Sequence, residues 1–252
     1  MNPEKPMRRP TPETLAREVK QWLQKNRNPK IAAQSQKYFK NNDDVSFYGI
    51  DTPKMRDYDR ALWERLKGRW SLADAVRFCD LMLPDKFHEV KGLAILVLLR
   101  FRKEYTPDLF AKIKSWLEED YCNSWAAVDV LCPDGLGTLL KRYPELVEEV
   151  KSWTAHRNRW VKRASAVGFI KLAKYGGHLE AIYDISKRLF PVADDLIHKA
   201  NGWLLREAGK ADANRLEAFL LKHGPKIPRT TVRYAIERFP EAQRMRLLLS
   251  TK

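Results

Sequence analysis

The sequence is poor in the features that mark disulfide-rich and membrane-spanning proteins. Among 252 residues it has three cysteines, at Cys79, Cys122 and Cys132, an odd number without metal-ligand spacing. No stretch approaches the roughly 20 apolar residues of a membrane span. The first residues, Met1 to Pro10, are polar and lack the apolar core of a signal peptide. We therefore expect buried, reduced cysteines in a cytoplasmic protein, associated with the nucleoid if the source is bacterial.

Signatures of several enzyme classes are also missing. The five histidines are scattered, and they form neither an HExxH arrangement nor a pair with a cysteine. No glycine-rich loop that could cradle phosphates occurs, and no lysine stands out as a Schiff-base nucleophile. We therefore expect neither a metal nor any other cofactor.

Acidic residues are few relative to basic ones. Lys and Arg number 47 against 32 Asp and Glu, which gives a formal charge of +15 and a pI near 9.7. A charge of this size attracts polyanions, and nucleic acid is the first candidate. A merely basic soluble protein is the alternative that charge alone leaves open.

Strand-like alternation is absent, whereas helical periodicity runs through almost the whole chain. Thr11-Pro12-Glu13 and Thr106-Pro107-Asp108 each place a capping residue before a proline at the first helical position. The apolar run Leu93 to Leu99 predicts a buried helix because its flanks keep the 3.6-residue period. Further helices are predicted at 31–40, 52–67, 72–83, 87–102, 107–118 and 124–131, and in pairs to the C-terminus. The predicted class is all-α.

A weak internal repeat of about 36 residues organises these helices. Val161 to Lys174 can be aligned with Ile197 to Lys210 and, two steps earlier, with Val90 to Arg102. Helix pairs of this kind cannot bury their apolar stripes alone, so neighbours stack into a curved solenoid with a concave face. Because the linkers are short, we predict one helical-repeat domain over residues 1–252, with residues 1–10 as a disordered tail.

One acid stands apart from the basic background. Asp129 is a lone carboxylate in the apolar run Val128 to Cys132, and Trp125 precedes it by one helical turn. Residues at this spacing share a helix face, so an acid and a π surface would lie side by side and suit a cation. The repeat step carries this pair onto Val161 and Ser165. The alternative is an aspartate that caps or pairs with a neighbouring helix.

Basic and aromatic residues recur on the helices expected to line the concave face. They are Arg159, Lys162, Arg163, Lys199, Trp203 and Arg206. Contacts from Arg and Lys to phosphate position nucleic acid without specifying its sequence, and no base-reading motif is visible. We therefore predict a basic groove that recognises shape or damage. The alternative is that Trp203 belongs to the core and the cations form a solvated face.

Four ordered segments resemble the AlkD-like DNA glycosylases, HEAT-like helical-repeat proteins that excise alkylated bases. These segments are Lys37 to Lys40 with Gly49 to Pro53, Ser124 to Asp129, Trp160 to Ala164, and Lys199 to Glu207. Their order and spacing cover the chain from residue 12 to its end. The chain departs from the family at Ser124, where the family has a tryptophan, and in a slightly longer stretch between Tyr38 and Gly49.

The resemblance implies a role for each matching residue. Asp129 would be the catalytic carboxylate, with Trp125 and Trp203 as aromatic walls around the lesion. Tyr38 would line the site, and Arg163 would grip the DNA backbone near the lesion. Further contacts with DNA are expected from Thr52, Pro53, Arg159, Lys162, Lys199 and Arg206.

The implied chemistry follows from the charge of the damaged base. Alkylation at N3 or N7 leaves a purine cationic, so the base departs as a neutral molecule without a general acid. Asp129 could then stabilise the oxocarbenium-like sugar and position a water. We expect a monomeric, monofunctional glycosylase of base excision repair that acts on duplex DNA with alkylated bases. The alternatives are an enzyme acting on RNA and a non-enzymatic repeat module whose basic face binds nucleic acid or an acidic protein.

Overall fold

The computed structural model describes residues 9–39 and 45–252, and the predicted all-α class is confirmed for these ranges. No strand occurs in them, and the closest approach is an isolated bridge between Ser46 and Phe87. The three cysteines are buried, and none of them forms a disulfide within the described residues. Most of the expected N-terminal tail, together with Lys40, lies outside the described residues. In the described part of the chain no helix combines the length and the apolar character needed to cross a membrane.

The α-helices are numbered in chain order. They are α1 (Pro12–Lys25), α2 (Pro29–Tyr38), α3 (Thr52–Leu66), α4 (Leu72–Met82), α5 (His88–Arg100), α6 (Asp108–Glu118), α7 (Trp125–Leu131), α8 (Gly137–Arg142), α9 (Val147–Ser152), α10 (Arg159–Val167), α11 (Ile170–Lys174), α12 (Leu179–Leu189), α13 (Asp195–Ala211), α14 (Ala213–His223), α15 (Arg229–Ala235) and α16 (Glu241–Ser250). Short 3-10 turns and one π-helical turn, Cys132–Leu136, connect several of them. The predicted boundaries differ from these by about one or two residues.

Capping side chains fix several helix starts. Thr11 accepts a hydrogen bond from the Thr14 amide at the start of α1, as its Thr-Pro-acid signature predicts. The second such signature is wrong in detail, because α6 begins at Asp108 and has no side-chain cap. There the Leu109 amide donates to the backbone carbonyl of Thr106 at 3.1 Å. The threonine backbone thus accepts the bond that its hydroxyl was expected to accept.

By its contacts the chain divides into two compact units. Unit 1 comprises residues 1–105 and 120–127, and unit 2 comprises residues 106–119 and 128–252. The helix α7 begins in unit 1 and ends in unit 2. The prediction of a single domain over the whole chain stays a prediction.

Unit 1 is built around α1, α3, α4 and α5, which pack on one another. Val19 and Leu23, on the apolar face predicted for the first helix, are fully buried. Trp22, from the same pattern, is half-buried and stacks on Tyr58, with ring centroids 3.7 Å apart. The apolar run in α5 is buried as predicted, with Leu93, Ala94, Ile95 and Leu98 fully inaccessible.

Unit 2 shows the predicted period in its side-chain contacts. Arg159 bonds to Asp194, 35 residues away, and the Thr231 hydroxyl donates to the His198 carbonyl, 33 residues away. Asn158 and Asp194 cap α10 and α13 in the same way, each accepting from the amide two residues on, at 2.7 and 2.9 Å. The helical-repeat organisation is therefore present in unit 2. Its assignment to the HEAT type and the concave basic groove stay predictions.

Candidate active site

Asp129, at the end of α7 in unit 2, is held by an arginine of α10. Arg163 donates from Nε to Asp129 Oδ1 at 2.9 Å and from Nη2 to Oδ2 at 2.8 Å. This is a bidentate pair, the geometry in which guanidinium and carboxylate fix each other most tightly. The third guanidinium nitrogen, Nη1, donates to the Leu196 carbonyl in α13. Two neighbouring helices therefore orient the carboxylate.

The surroundings of Asp129 perturb its acidity in opposite directions. Burial raises the pKa of the Asp129 carboxyl, and the hydrogen bonds and charge of Arg163 lower it. Burial is the larger effect, so the pKa lies above its ordinary value of 3.8. A raised pKa means a more basic carboxylate, whose charge is less screened than it would be in bulk water.

The Asp129 side chain is partly accessible. Its side chain is 18% exposed, whereas that of Arg163 is 6% exposed. A carboxylate has about four lone-pair positions, and the guanidinium occupies two of them. The other positions remain available to a water molecule or to a positively charged ligand. The aspartate is thus oriented by Arg163 and remains partly exposed.

Two other buried carboxylates, those of Glu89 and Glu207, are engaged in contacts within the protein. Both oxygens of Glu89 accept hydrogen bonds from backbone amides, among them that of Gly49 at 2.8 Å. Glu207 pairs with Lys210, which lies one turn further along α13. Asp129 also pairs with a neighbouring helix, as the structural alternative predicted. It differs in exposure, because its side chain is 18% exposed and that of Glu207 is 8% exposed.

Arg163 is not placed as a phosphate-binding residue is expected to be. Its guanidinium is buried, and all three of its nitrogens donate to protein oxygens. A contact with the DNA backbone would require its pair with Asp129 to open. The predicted phosphate contact stays a prediction, while the described bonds make Arg163 a positioning residue for Asp129.

Most other cations predicted to contact DNA are engaged by acids. The pairs are Arg159–Asp194, Lys199–Asp195 and Arg206–Glu237. Arg159 and Lys199 are 51% and 41% exposed and could exchange their acids for phosphate, whereas Arg206 is largely covered. Lys162 is half-buried and has no ion pair within the described residues. Of this set, only Lys162 offers a charge that no acid already holds.

Trp203 lies half-buried on α13, in unit 2. The preceding residue, Gly202, allows α13 to lie directly against α15. A Cβ at Gly202 would fall 2.4 Å from the Tyr234 Cβ and 2.8 Å from the Thr231 carbonyl oxygen. This close contact fixes the rotation of α13 and hence the direction of Trp203. Sequence reasoning missed Gly202, although a glycine inside a long helix was an available signal.

Trp125 lies in unit 1, within an aromatic cluster. Its ring stacks on Phe39 with centroids 5.0 Å apart and planes 16° from parallel. Phe39 in turn contacts Phe47 and His88, at centroid distances of 4.9 and 5.5 Å. Nδ1 of His88 is buried without a hydrogen-bond partner in the described residues, and burial lowers the pKa of this imidazole. One face of Trp125 is therefore covered by an apolar, uncharged cluster that the sequence did not reveal.

The remaining predicted contacts also belong to unit 1. Tyr38 ends α2 and is 79% exposed. Thr52 and Pro53 form the exposed first turn of α3. All three are accessible to a ligand, and their roles stay predictions.

Groups that could support a different chemistry are limited. Among the described residues, no three His, Cys, Asp or Glu side chains converge as metal ligands would. Lys91 is a buried lysine whose Nζ donates to the carbonyls of Leu83 and Tyr121 at 2.7 and 2.6 Å. Burial lowers the pKa of Lys91, but its position in the core separates it from any substrate.

A family model and a solved structure are among the known proteins that match this chain. The family model described as DNA alkylation repair enzyme matches residues 19–239. A solved structure titled as a predicted DNA alkylation repair enzyme from Enterococcus faecalis is similar with a TM-score of 0.74 and 16% sequence identity. The alignment covers 86% of this chain and 98% of that one. A search of curated protein sequences found no match. At this identity the structural likeness supports the fold alone.

Proposed function

The chain belongs to the DNA alkylation repair enzyme family, and from that membership we propose that it is a DNA glycosylase. Its proposed substrates are cationic N3- or N7-alkylated purines in duplex DNA, and its reaction is hydrolysis of their N-glycosidic bond. The observation that carries the proposal is the Asp129 carboxylate, which Arg163 orients and which belongs to a partly exposed side chain.

The proposed step needs one negative charge and one water. As the bond between C1′ and the base nitrogen breaks, its electron pair leaves with the cationic base, which becomes neutral. Positive charge develops on the sugar, where the Asp129 carboxylate stabilises it. A water positioned by the free edge of the carboxylate attacks C1′ and loses a proton to the carboxylate or to solvent. The raised pKa of Asp129 favours this proton transfer.

Arg163 contributes orientation in this proposal. Its two hydrogen bonds hold both carboxylate oxygens in one plane, and the Leu196 carbonyl holds the guanidinium. A charge that is already oriented needs no reorganisation when the transition state forms, which is the main source of electrostatic catalysis.

The tryptophans supply the preference for charged damage. A cation over the face of an indole gains about 0.5 to 2 kcal/mol, depending on how far it is desolvated. Phe39 stacks on one face of Trp125, and Trp125 precedes Asp129 by one helical turn in α7. Trp203 is held by the close packing beside Gly202. The proposal assigns to both rings a contact with the cationic nucleotide.

The proposed enzyme is monofunctional and leaves an abasic site in an uncut strand. A lyase step needs an amine of lowered pKa at the reacting sugar, and Lys91, whose pKa is lowered by burial, is bonded to two backbone carbonyls in the core. The proposed partner is duplex DNA, bound through a basic concave groove by a monomer with a formal charge of +15. We place the protein in the cytoplasm, on the nucleoid if the source is bacterial.

The test is release of a modified base. Purified protein is incubated with a duplex that contains one 7-methylguanine, and free base is separated by chromatography. We expect release of 7-methylguanine and none of uracil from a matched duplex, because uracil leaves as an anion and needs proton assistance. Efficient uracil release would contradict the mechanism. Tight binding without release would favour the non-enzymatic module, and release from alkylated RNA alone would identify the other substrate.

A further inference from the structure

Unit 1 contains a polar cleft that none of the predicted roles uses. Its volume is about 320 Å³, and it lies between the end of α1, the start of α2 and the start of α3. The charged residues that line it are Lys25, Arg27, Asp51 and Lys54. No aromatic side chain takes part in the lining, so the cleft offers no surface on which a base could stack.

The three cations of this cleft are unengaged. Lys25, Arg27 and Lys54 are exposed, and none has an ion pair or side-chain hydrogen bond within the described residues. Asp51 caps α3, since its Oδ1 accepts the Lys54 amide at 2.9 Å, and its one negative charge does not balance the three positive charges. Three positive charges and one negative charge leave a net attraction for an anion.

The walls of the cleft are rigidly built. The buried carboxylate of Glu89 accepts the amides of Tyr48, Gly49 and Ile50 at 3.1, 2.8 and 3.4 Å. Gly49 has a φ of +80°, and a Cβ there would lie 2.2 Å from the Asn28 carbonyl oxygen. These contacts hold the loop before α3 against the start of α2. The loop amides already donate to Glu89, so a ligand in the cleft would be bound by the side chains of the three cations.

We propose that this cleft binds a phosphodiester group of the DNA backbone, as a contact separate from Asp129. The inference rests on the proposed function and extends it to a second site. Arg27 can bind two phosphate oxygens with its planar fork, and Lys25 and Lys54 add point charges. An acidic peptide would also need an apolar anchor, and the apolar lining is limited to Ile31 and Ile50. The contact carries affinity and no sequence information.

The experiment compares two triple variants that remove the same charge. The cleft variant is Lys25→Gln, Arg27→Gln and Lys54→Gln. The control variant is Arg60→Gln, Lys67→Gln and Arg77→Gln, at exposed cations of unit 1 that are each paired with an acid. Affinity for an undamaged duplex is measured between 50 and 200 mM salt. Circular dichroism verifies that both variants are folded. If the triple cleft variant does not fold, the single variant Arg27→Gln replaces it in the comparison.

We expect the slope of log affinity against log salt to shrink by about 0.9 for each phosphate contact that the cleft variant loses. The control variant should keep nearly the wild-type slope, because its cations do not bind phosphate. Equal slopes for the two variants would overturn the inference. A second outcome would also overturn it. Inorganic phosphate could bind the cleft, as monitored by the amide NMR shifts of Gly49 and Ile50, while the salt dependence of DNA affinity in the cleft variant stays that of the wild type. Release of 7-methylguanine by the wild-type protein tests the proposed function separately.

Discussion

Positive charge is arranged differently around Asp129 in unit 2 and around the cleft in unit 1. Near Asp129, Arg163 and Lys199 are each tied to an acid, and Arg163 is buried as well. In the cleft, Lys25 and Lys54 form no ion pair within the described residues. A paired and buried cation fixes geometry, whereas an exposed and unpaired one is available to a polyanion. The formal charge of +15 contains both kinds, and only the structure separates them.

This difference assigns separate tasks to the two regions. Desolvated ion pairs cost free energy to bury, so the Asp129–Arg163 pair is better explained by orientation than by stability. Exposed cations contribute affinity that falls with salt, without orienting a reacting group. We therefore assign the chemical step to unit 2 and a share of non-specific DNA binding to unit 1.

The largest expected effect follows from breaking the buried pair. Arg163→Met leaves Asp129 without its partner, and the free energy of unfolding should fall by about 3 kcal/mol at neutral pH. Urea denaturation measures this loss. Arg159→Met removes an exposed partner of Asp194 and should cost about 1 kcal/mol or less. Equal losses in the two variants would show that the Asp129–Arg163 pair behaves as a surface pair.

The loss caused by Arg163→Met should also depend on pH. Burial already raises the pKa of Asp129 above 3.8 in the folded protein, and removal of Arg163 raises it further. A group whose folded pKa exceeds its unfolded pKa favours the folded state in its protonated form. The loss of unfolding free energy caused by Arg163→Met should therefore shrink as the pH falls through the pKa of Asp129 in the folded variant towards 3.8. A deficit that grows over this range would contradict the assignment to Asp129.

The next effect concerns the pH dependence of catalysis. Base release requires ionised Asp129, so its rate should fall about tenfold for each pH unit below the pKa of that carboxyl. Because burial raises this pKa, the decline should begin above pH 3.8. Single-turnover release of 7-methylguanine provides the profile, since the alkylated base is cationic throughout. A rate that is flat down to pH 3.8 in folded protein would exclude this role.

A smaller effect is expected at the aromatic walls. Trp125→Ala and Trp203→Ala should each reduce the preference for cationic over neutral damaged DNA by about 1 kcal/mol, or about fivefold. Competitive binding of two duplexes measures that preference. Trp22→Ala is the control, because Trp22 stacks on Tyr58 instead. An equal change of preference in the control would show that general destabilisation, and not the loss of a lesion contact, causes the effect.

The smallest effect is expected from the support behind Trp125. Phe39→Leu keeps an apolar side chain but removes the stacked ring, and the preference for cationic damage should fall by about 0.5 kcal/mol, or about twofold. Phe47→Leu is the matched control, since Phe47 touches Phe39 and has no ring contact with Trp125 in the described residues. If both variants have the same preference, the Phe39 stack does not orient Trp125.

Local patterns predicted more of this molecule than contacts between distant segments did. Helical periodicity and caps such as Thr11 can be read within one turn, and the isolation of Asp129 is visible in its apolar run. Its bond to Arg163 joins residues 34 positions apart, and the sequence does not say whether a basic side chain will meet an acid or solvent. The resemblance implies a phosphate contact for Arg163, which stays a prediction, and the sequence did not reveal the ion pair that such a contact would have to open.

The same limit explains the features that sequence reasoning missed. Phe39 and Trp125 come from separate segments, and their stack exists only in the folded chain. Glu89 sits in an apolar helix much as Asp129 does, yet it binds backbone amides of a loop 40 residues away. Sequence context could not distinguish these two acids. Their hydrogen-bond partners and exposure did.

The most direct measurement is the rate of base release by Asp129→Asn. The amide keeps the shape of the side chain and removes its charge. We expect single-turnover release of 7-methylguanine from duplex DNA to fall by at least about tenfold. Affinity for the duplex should stay the same or rise, because a negative charge near phosphate is lost and Arg163 is released. A variant that releases the base at the wild-type rate would remove Asp129 from the mechanism.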